Sequence, residues 1–288
     1  MSTNEEQAVM ESWAARLGPF AATFFQQTPA LQGLLPHCAV VLHGSTTRGI
    51  DDAFSDLDLW VLLPRDALMR AESVAGTRFF SFVLQGKKGH FNLEAIEEAS
   101  GRVSACDLER IAEWRTARIL LDVDNMAHTL AAQSRQPMRD DVRHAWFCHH
   151  YIEMRGYHRN CDNPMERGDQ LAVLLGLVPT LNHALRAAMV LDREPYPYIK
   201  WLGQAARSTP TGQRIMPLVE DILHSLTAGA LTHSGPESGN PISIKLRDLR
   251  QLLVERARDQ GIHEPWLERW WVHMTQAAEG IRLVRWIA

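Results

Sequence analysis

Apolar positions along this chain switch between helical and strand periods before settling into a helical one. Over residues 5–27 they recur at helical spacing, with Val9, Trp13, Leu17, Phe20 and Phe24 on one face and Pro19 placed to kink or split the helix. Thr28-Pro29 and Pro36 then lead into Cys38–Leu42, a short apolar run that reads as a buried strand. Asp56, Leu57, Asp58 and Leu59 alternate as a strand does, Pro64 opens a short helix to about Ala75, and Gly76 ends it. Arg78–Leu84 reads as a third strand, joined by the turn Gly86-Lys87-Lys88-Gly89 to His90–Ile96, so the pair forms a hairpin. In that last strand His90, Asn92 and Glu94 make a polar face opposite Phe91, Leu93 and Ala95. Residues 107–121 and 125–135 read as helices, with Arg118–Asp122 able to form a further strand.

From Asp140 onward the pattern is helical throughout. Helices are expected at Asp141–Arg159, Gly168–Leu191, Ile199–Arg207, Gly212–Thr227, Ile244–Asp259 and Pro265–Trp286. The second carries a stripe at Leu171, Leu174, Val178, Leu181, Leu185 and Met189. A polar Gly/Pro-rich stretch at 229–241 reads as a mobile loop. The fold class is therefore α+β, a small mixed sheet over residues 1–135 followed by an all-helical bundle over 136–288.

Composition narrows the function. A chain of 288 residues that is 45% hydrophobic and 22% charged is globular. Its net charge of −4 weighs against a nucleic acid partner, which calls for a concentrated basic surface, and favours a small or cationic one. Neither a basic-then-apolar leader nor a run of about eighteen apolar residues is visible, so no signal peptide and no membrane contact is expected. Cys38, Cys106, Cys148 and Cys161 are widely spaced and read as reduced thiols of a cytoplasmic protein rather than a zinc site.

The chemistry concentrates in His43-Gly44-Ser45-Thr46-Thr47-Arg48-Gly49 and in Ser55-Asp56-Leu57-Asp58. Residues two apart on a strand share a face, so Asp56 and Asp58 set their carboxylates side by side. Such a pair raises its own pKa unless a cation sits between the two, and oxygen-only acidic ligands suit Mg²⁺. Gly44-Ser45 supplies close backbone approach and a hydroxyl for phosphate oxygens. The order Gly-Ser, about a dozen residues, then Asp-x-Asp in an apolar strand resembles the signature of the polymerase-β-like nucleotidyltransferase superfamily. Gly44, Ser45, Asp56 and Asp58 match it, and Gly49 and Ser55 match its commoner elaborations.

That resemblance implies transfer of a nucleoside monophosphate from ATP or another NTP to an acceptor, with two Mg²⁺ ions held by Asp56 and Asp58. It also implies a third carboxylate from a neighbouring strand, for which Glu94 is the candidate as metal ligand or general base; aspartate is the commoner residue there. Pro197-Tyr198-Ile199-Lys200-Trp201 looks like a segment of bacterial nucleotidyltransferases related to aminoglycoside-modifying enzymes, in which a lysine from the helical domain reaches the triphosphate. The resemblance thus gives the helical part the task of binding the acceptor, an aminoglycoside-like antibiotic first and a lincosamide next, and so a place in antibiotic resistance. A protein acceptor, as in toxin-neutralising nucleotidyltransferases, and a non-catalytic nucleotide-binding regulator are the alternatives.

Other residues have plainer readings. Arg48 follows Gly-Ser and either touches a phosphate or is a solvated loop charge. Asp162, Glu166 and Asp169 bind amino groups of a cationic acceptor or, more simply, cap and complement a helix N-terminus. Arg139 with His144, and Arg143 with His149, fit a loose ribonuclease pattern that such a segment meets by chance. Trp266, Trp270, Trp271 and Trp286 belong to the core or to a homodimer contact.

Overall fold

A computed structural model describes residues 3–228 and 239–287, leaving out the side chains of residues 3–10, 276 and 282–287. The side chains of Val9 and Trp286 and most of the expected loop at 229–241 therefore lie outside what is described. The chain divides into two compact units, Met1–Gln136 and Pro137–Ala288.

The first unit is built on a mixed five-stranded sheet in the order β3-β4-β2-β1-β5, with β1 Ala39–His43, β2 Leu57–Leu63, β3 Phe79–Leu84, β4 Lys87–Ala95 and β5 Arg118–Asp122. All neighbours are antiparallel except β2 and β4, which run parallel. Alternation along β2 decides what covers each face. Leu57, Leu59, Val61 and Leu63 pack with Phe91 and Leu93 against α1 (Thr3–Gln27) and α2 (Arg65–Ala75). Trp60 and Leu62 point the other way, into a core with Trp114, Val103 and Leu130 from α3 (Ile96–Ser104), α4 (Leu108–Thr116) and α5 (Met126–Ser134).

Helix α1 runs unbroken through Pro19. Ala15, whose carbonyl loses its i+4 donor to the proline, is exposed, so water can satisfy it. Helix α2 ends as the pattern indicates, Gly76 taking φ 67 and donating to Glu72 O. The β3–β4 connection is tighter than expected. Gln85 (φ 52) and Gly86 (φ 82) form a two-residue turn, and Lys87 to Gly89 join β4. Arg118–Asp122 is a strand, and α3 was not anticipated.

The second unit holds α6 (Asp140–Arg167), α7 (Gln170–Leu191), α8 (Ile199–Ala206), α9 (Pro210–Thr227), α10 (Pro241–Asp259) and α11 (Met274–Ile287). Helix α6 continues a further eight residues past the expected Arg159. Along α7 the expected stripe is displaced. Leu171 and Val178 are exposed and Leu174 borders on it, while Val173, Leu177, Ala184 and Ala188 are buried with Leu185 and Met189. At Gly176 helix α6 comes so close that a Cβ would stand 2.7 Å from Cys161 Sγ and 3.3 Å from the Tyr157 carbonyl, which sets the contact face on that side of α7. By length and composition α7 could cross a membrane, but 61% of its most apolar window is buried inside the unit, as in a core helix. Trp266 and Trp270 are buried, whereas Trp271 is exposed.

Candidate functional site

Three strand ends meet at one edge of the first unit. The antiparallel register pairs His43 with Asp58, and the parallel register pairs Asp58 with His90. Equal pleat phase puts His43, Asp58 and His90 on the same face of the sheet, beyond Trp60. Asp56 precedes β2 by one residue, and its Oδ2 lies 3.1 Å from the His90 ring Nε2, placed to accept from it. The His90 ring also stacks on Phe79, with centroids 4.6 Å apart.

Gly44 turns the chain off β1 at φ +83, a left-handed conformation that favours glycine. A Cβ placed there would stand 2.8 Å from Asp58 Oδ2, so this carboxylate occupies the space that a side chain would need. Ser45 and Thr46 follow, both buried, and the Ser45 carbonyl accepts from the N–H groups of Arg48 and Ile50. His43 Nδ1, Thr46 Oγ1 and His90 Nδ1 are buried with no hydrogen-bond partner among the described residues. Three orphaned polar atoms at one edge of a sheet mark a place that water or a ligand completes. Oxygen ligands from Asp56 and Asp58 beside a glycine turn and a buried hydroxyl fit a hard divalent cation with a phosphate chain.

The Asp51–Ser55 loop is held in shape by its own side chains. Ser55 Oγ donates to Asp52 Oδ1 at 2.9 Å, and Asp51 pairs with Lys87 at 2.8 Å, tying the loop to the start of β4.

Glu94 does not join Asp56 and Asp58. Its register partner is Leu62, four residues and about 13 Å further along the strand than the Asp58–His90 pair. Its carboxylate contacts the buried guanidinium of Arg110, which lies 3.7 Å over the Trp60 ring and also reaches Glu113 at 3.4 Å. On β4 the position level with Asp58 is held by His90, whereas Glu94 faces Arg110. A period-two strand reading identifies the polar face but not which of its members comes level with Asp58, because register depends on the β2–β4 crossover.

Burial shapes the charges around this network. Burial first, then Arg110 and Arg48, hold the His43 imidazole well below its ordinary pKa. Glu113 is raised by burial, although Arg110 and Arg48 oppose the shift. Arg48 is half-buried, with its pKa lowered by burial and supported by Glu113, so it is part of the charged network rather than a solvated loop residue. Arg110 and His90 had no sequence motif to announce them.

In the second unit, Lys200 stands exposed on the first turn of α8, its Nζ 5.0 Å from the Trp201 ring centroid. Asp169 caps α7 by accepting from Ala172 N at 3.1 Å, and Asp162 pairs with Arg159 at 3.2 Å, which favours the plainer reading of these carboxylates. Arg143 donates to Gln260, and Arg139 pairs with Asp141.

A small mixed five-stranded sheet followed by a run of helices is an α+β architecture. Among solved structures the chain is similar to a nucleotidyltransferase-like protein from Exiguobacterium sibiricum 255-15. The match covers 84% of this chain and 76% of that one, with 14% identity and a TM-score of 0.50, and is a likeness of fold. No known protein family and no curated protein matches the sequence.

Proposed function

We propose that this protein is a Mg²⁺-dependent nucleotidyltransferase that moves a nucleoside monophosphate, AMP from ATP, to a hydroxyl of a small acceptor. The observation that carries this reading is the edge where the Gly44 turn closes on the Asp58 carboxylate with Asp56 and His90 alongside. Mg²⁺ bound there would stabilise the attacking and leaving oxygens of an in-line displacement. Asp56 and Asp58 would hold the cation. The backbone after Gly44 and the hydroxyls of Ser45 and Thr46 receive the β- and γ-phosphates. The acceptor hydroxyl would give its proton to solvent as its oxygen bonds to the α-phosphorus; the bond to the bridging oxygen would break with its electron pair staying on that oxygen, and pyrophosphate would leave. Through its contact with Asp56, His90 fixes that carboxylate's orientation, a positioning role. Glu94 serves instead to neutralise Arg110. Lys200 as a ligand of the triphosphate, and an aminoglycoside or lincosamide as acceptor, rest on the resemblance and on the chain's acidic balance.

The test is incubation with ATP labelled on the α-phosphate, Mg²⁺ and a panel of aminoglycosides and lincosamides, alongside Asp58→Ala. Label on a drug with the wild type alone is the expected result. Label at protein mass would replace the small acceptor with a protein. Neither transfer nor Mg²⁺-dependent ATP binding would overturn the reading.

A further inference from the structure

The second unit contains a group of side chains that the proposed reaction does not use. His149 and His150 lie on α6 and His183 on α7, and one ring nitrogen from each falls within 4.8 Å of the others. His150 and His183 face each other through their Nδ1 atoms at 2.9 Å, and His150 Nε2 lies 2.9 Å from the Tyr196 hydroxyl. From this geometry we infer that His149, His150 and His183 form a binding site for a borderline-soft divalent transition metal, Zn²⁺ above all, that joins α6 to α7.

Several features of the cluster support a metal. Three imidazoles without a carboxylate are a donor set for zinc and its neighbours rather than for Mg²⁺. Zn–N bonds of about 2.0–2.1 Å in a tetrahedron put ligand nitrogens about 3.3 Å apart. The 2.9 Å between the two Nδ1 atoms therefore has to open by only a few tenths of an ångström for an ion to replace the shared proton. If His150 donates Nε2–H to Tyr196, its Nδ1 lone pair turns toward His183, the arrangement by which an outer partner orients a ligating histidine. The rings are held from outside as well: Trp146 stacks on His150 and Tyr157 on His183.

Charge and access fit the same reading. His150 is buried while His149 and His183 are half-exposed, which leaves an open side for a fourth ligand. The Arg186 guanidinium, 4.8 Å from the Tyr196 ring centroid, opposes a bare dication and favours an anion or hydroxide at that open position. No step at the Asp56–Asp58 edge is required, so the two proposals stand or fall separately.

Cobalt substitution tests it. The full chain is stripped with chelator and titrated with Co²⁺ and then Zn²⁺, using wild type, Asp58→Ala, His183→Asn and Tyr196→Phe, with thermal unfolding as a check on folding. Expected is one ion per chain with the intense visible spectrum of tetrahedral Co²⁺, bleached by Zn²⁺, in wild type and Asp58→Ala alike. His183→Asn should weaken binding by about 100-fold or more, and Tyr196→Phe by about tenfold. A weak octahedral spectrum, or tetrahedral uptake that a folded His183→Asn retains, would overturn the site. If His183→Asn unfolds, the spectrum of wild type and Tyr196→Phe still decides. Binding that Asp58→Ala abolishes would reassign the metal to the first unit and overturn the proposal.

Discussion

Histidine appears in two opposite settings in this molecule. On the sheet edge, His90 stands beside Asp56 and level with Asp58, half-exposed, where carboxylates set the local charge. In the helical unit, His150 and His183 stand beside each other and near Arg186, and the grouped ligand side chains are all imidazoles. Under the proposals made above, the carboxylate edge would take a hard cation with its phosphates and the imidazole cluster a softer ion. Neighbours, rather than the residue type, decide which chemistry a histidine can serve.

Asp58→Ala should give the largest effect, lowering nucleotidyl transfer on the order of a thousandfold or more while leaving the fold intact, as read by label transfer and thermal unfolding. A full rate in that variant would remove the contrast altogether. Arg110→Ala should leave Glu94 and Glu113 buried without their cation and cost about 3–5 kcal/mol in urea unfolding. A Glu94→Gln variant should keep its Mg²⁺ affinity, since Glu94 faces Arg110; lost affinity would return Glu94 to the metal site.

Gly44→Ala places a methyl at φ +83 against Asp58. A destabilisation of about 1–2 kcal/mol is expected, with transfer falling more steeply than stability. The smallest effect concerns pH. His158 is lowered from 6.5 to about 4, mainly by burial, so the stability it supports is complete above about 6.5 and is lost as pH falls toward 4. Melting temperature should decline over that window, and His158→Asn should flatten the decline. A decline unchanged by that substitution would place the titrating group elsewhere.

The sequence reading was strongest where local pattern and local geometry coincide. Cys38–Leu42, the Asp-x-Asp strand, the helix stopped by Gly76 and the hairpin are all set by neighbours in sequence, and each has its counterpart in the structure. It was weakest where long-range pairing decides. The polar face of β4 was visible as His90, Asn92 and Glu94, but only the parallel register with β2 brings His90 to Asp58 and Glu94 to Arg110. The stripe on α7 failed for a related reason, since close packing at Gly176 turned the helix away from its most apolar residues. His149, His150 and His183 lie on two helices with nothing in their spacing to join them.

The parallel pairing of β2 with β4 also sets an order of assembly. Strands β1 and β2 are consecutive and antiparallel, so Gly44 and Asp58 can meet as soon as that short hairpin closes. His90 reaches them only after α2 and β3 have been laid down and the crossover has returned β4 to the sheet. Non-local pairing of this kind forms late because the loop entropy is lost before the contacts are gained. A nascent chain would thus own its carboxylate pair before the imidazole that steadies it. Local opening of the β3–β4 hairpin from β2 would take the folded protein back to that earlier stage without unfolding the rest.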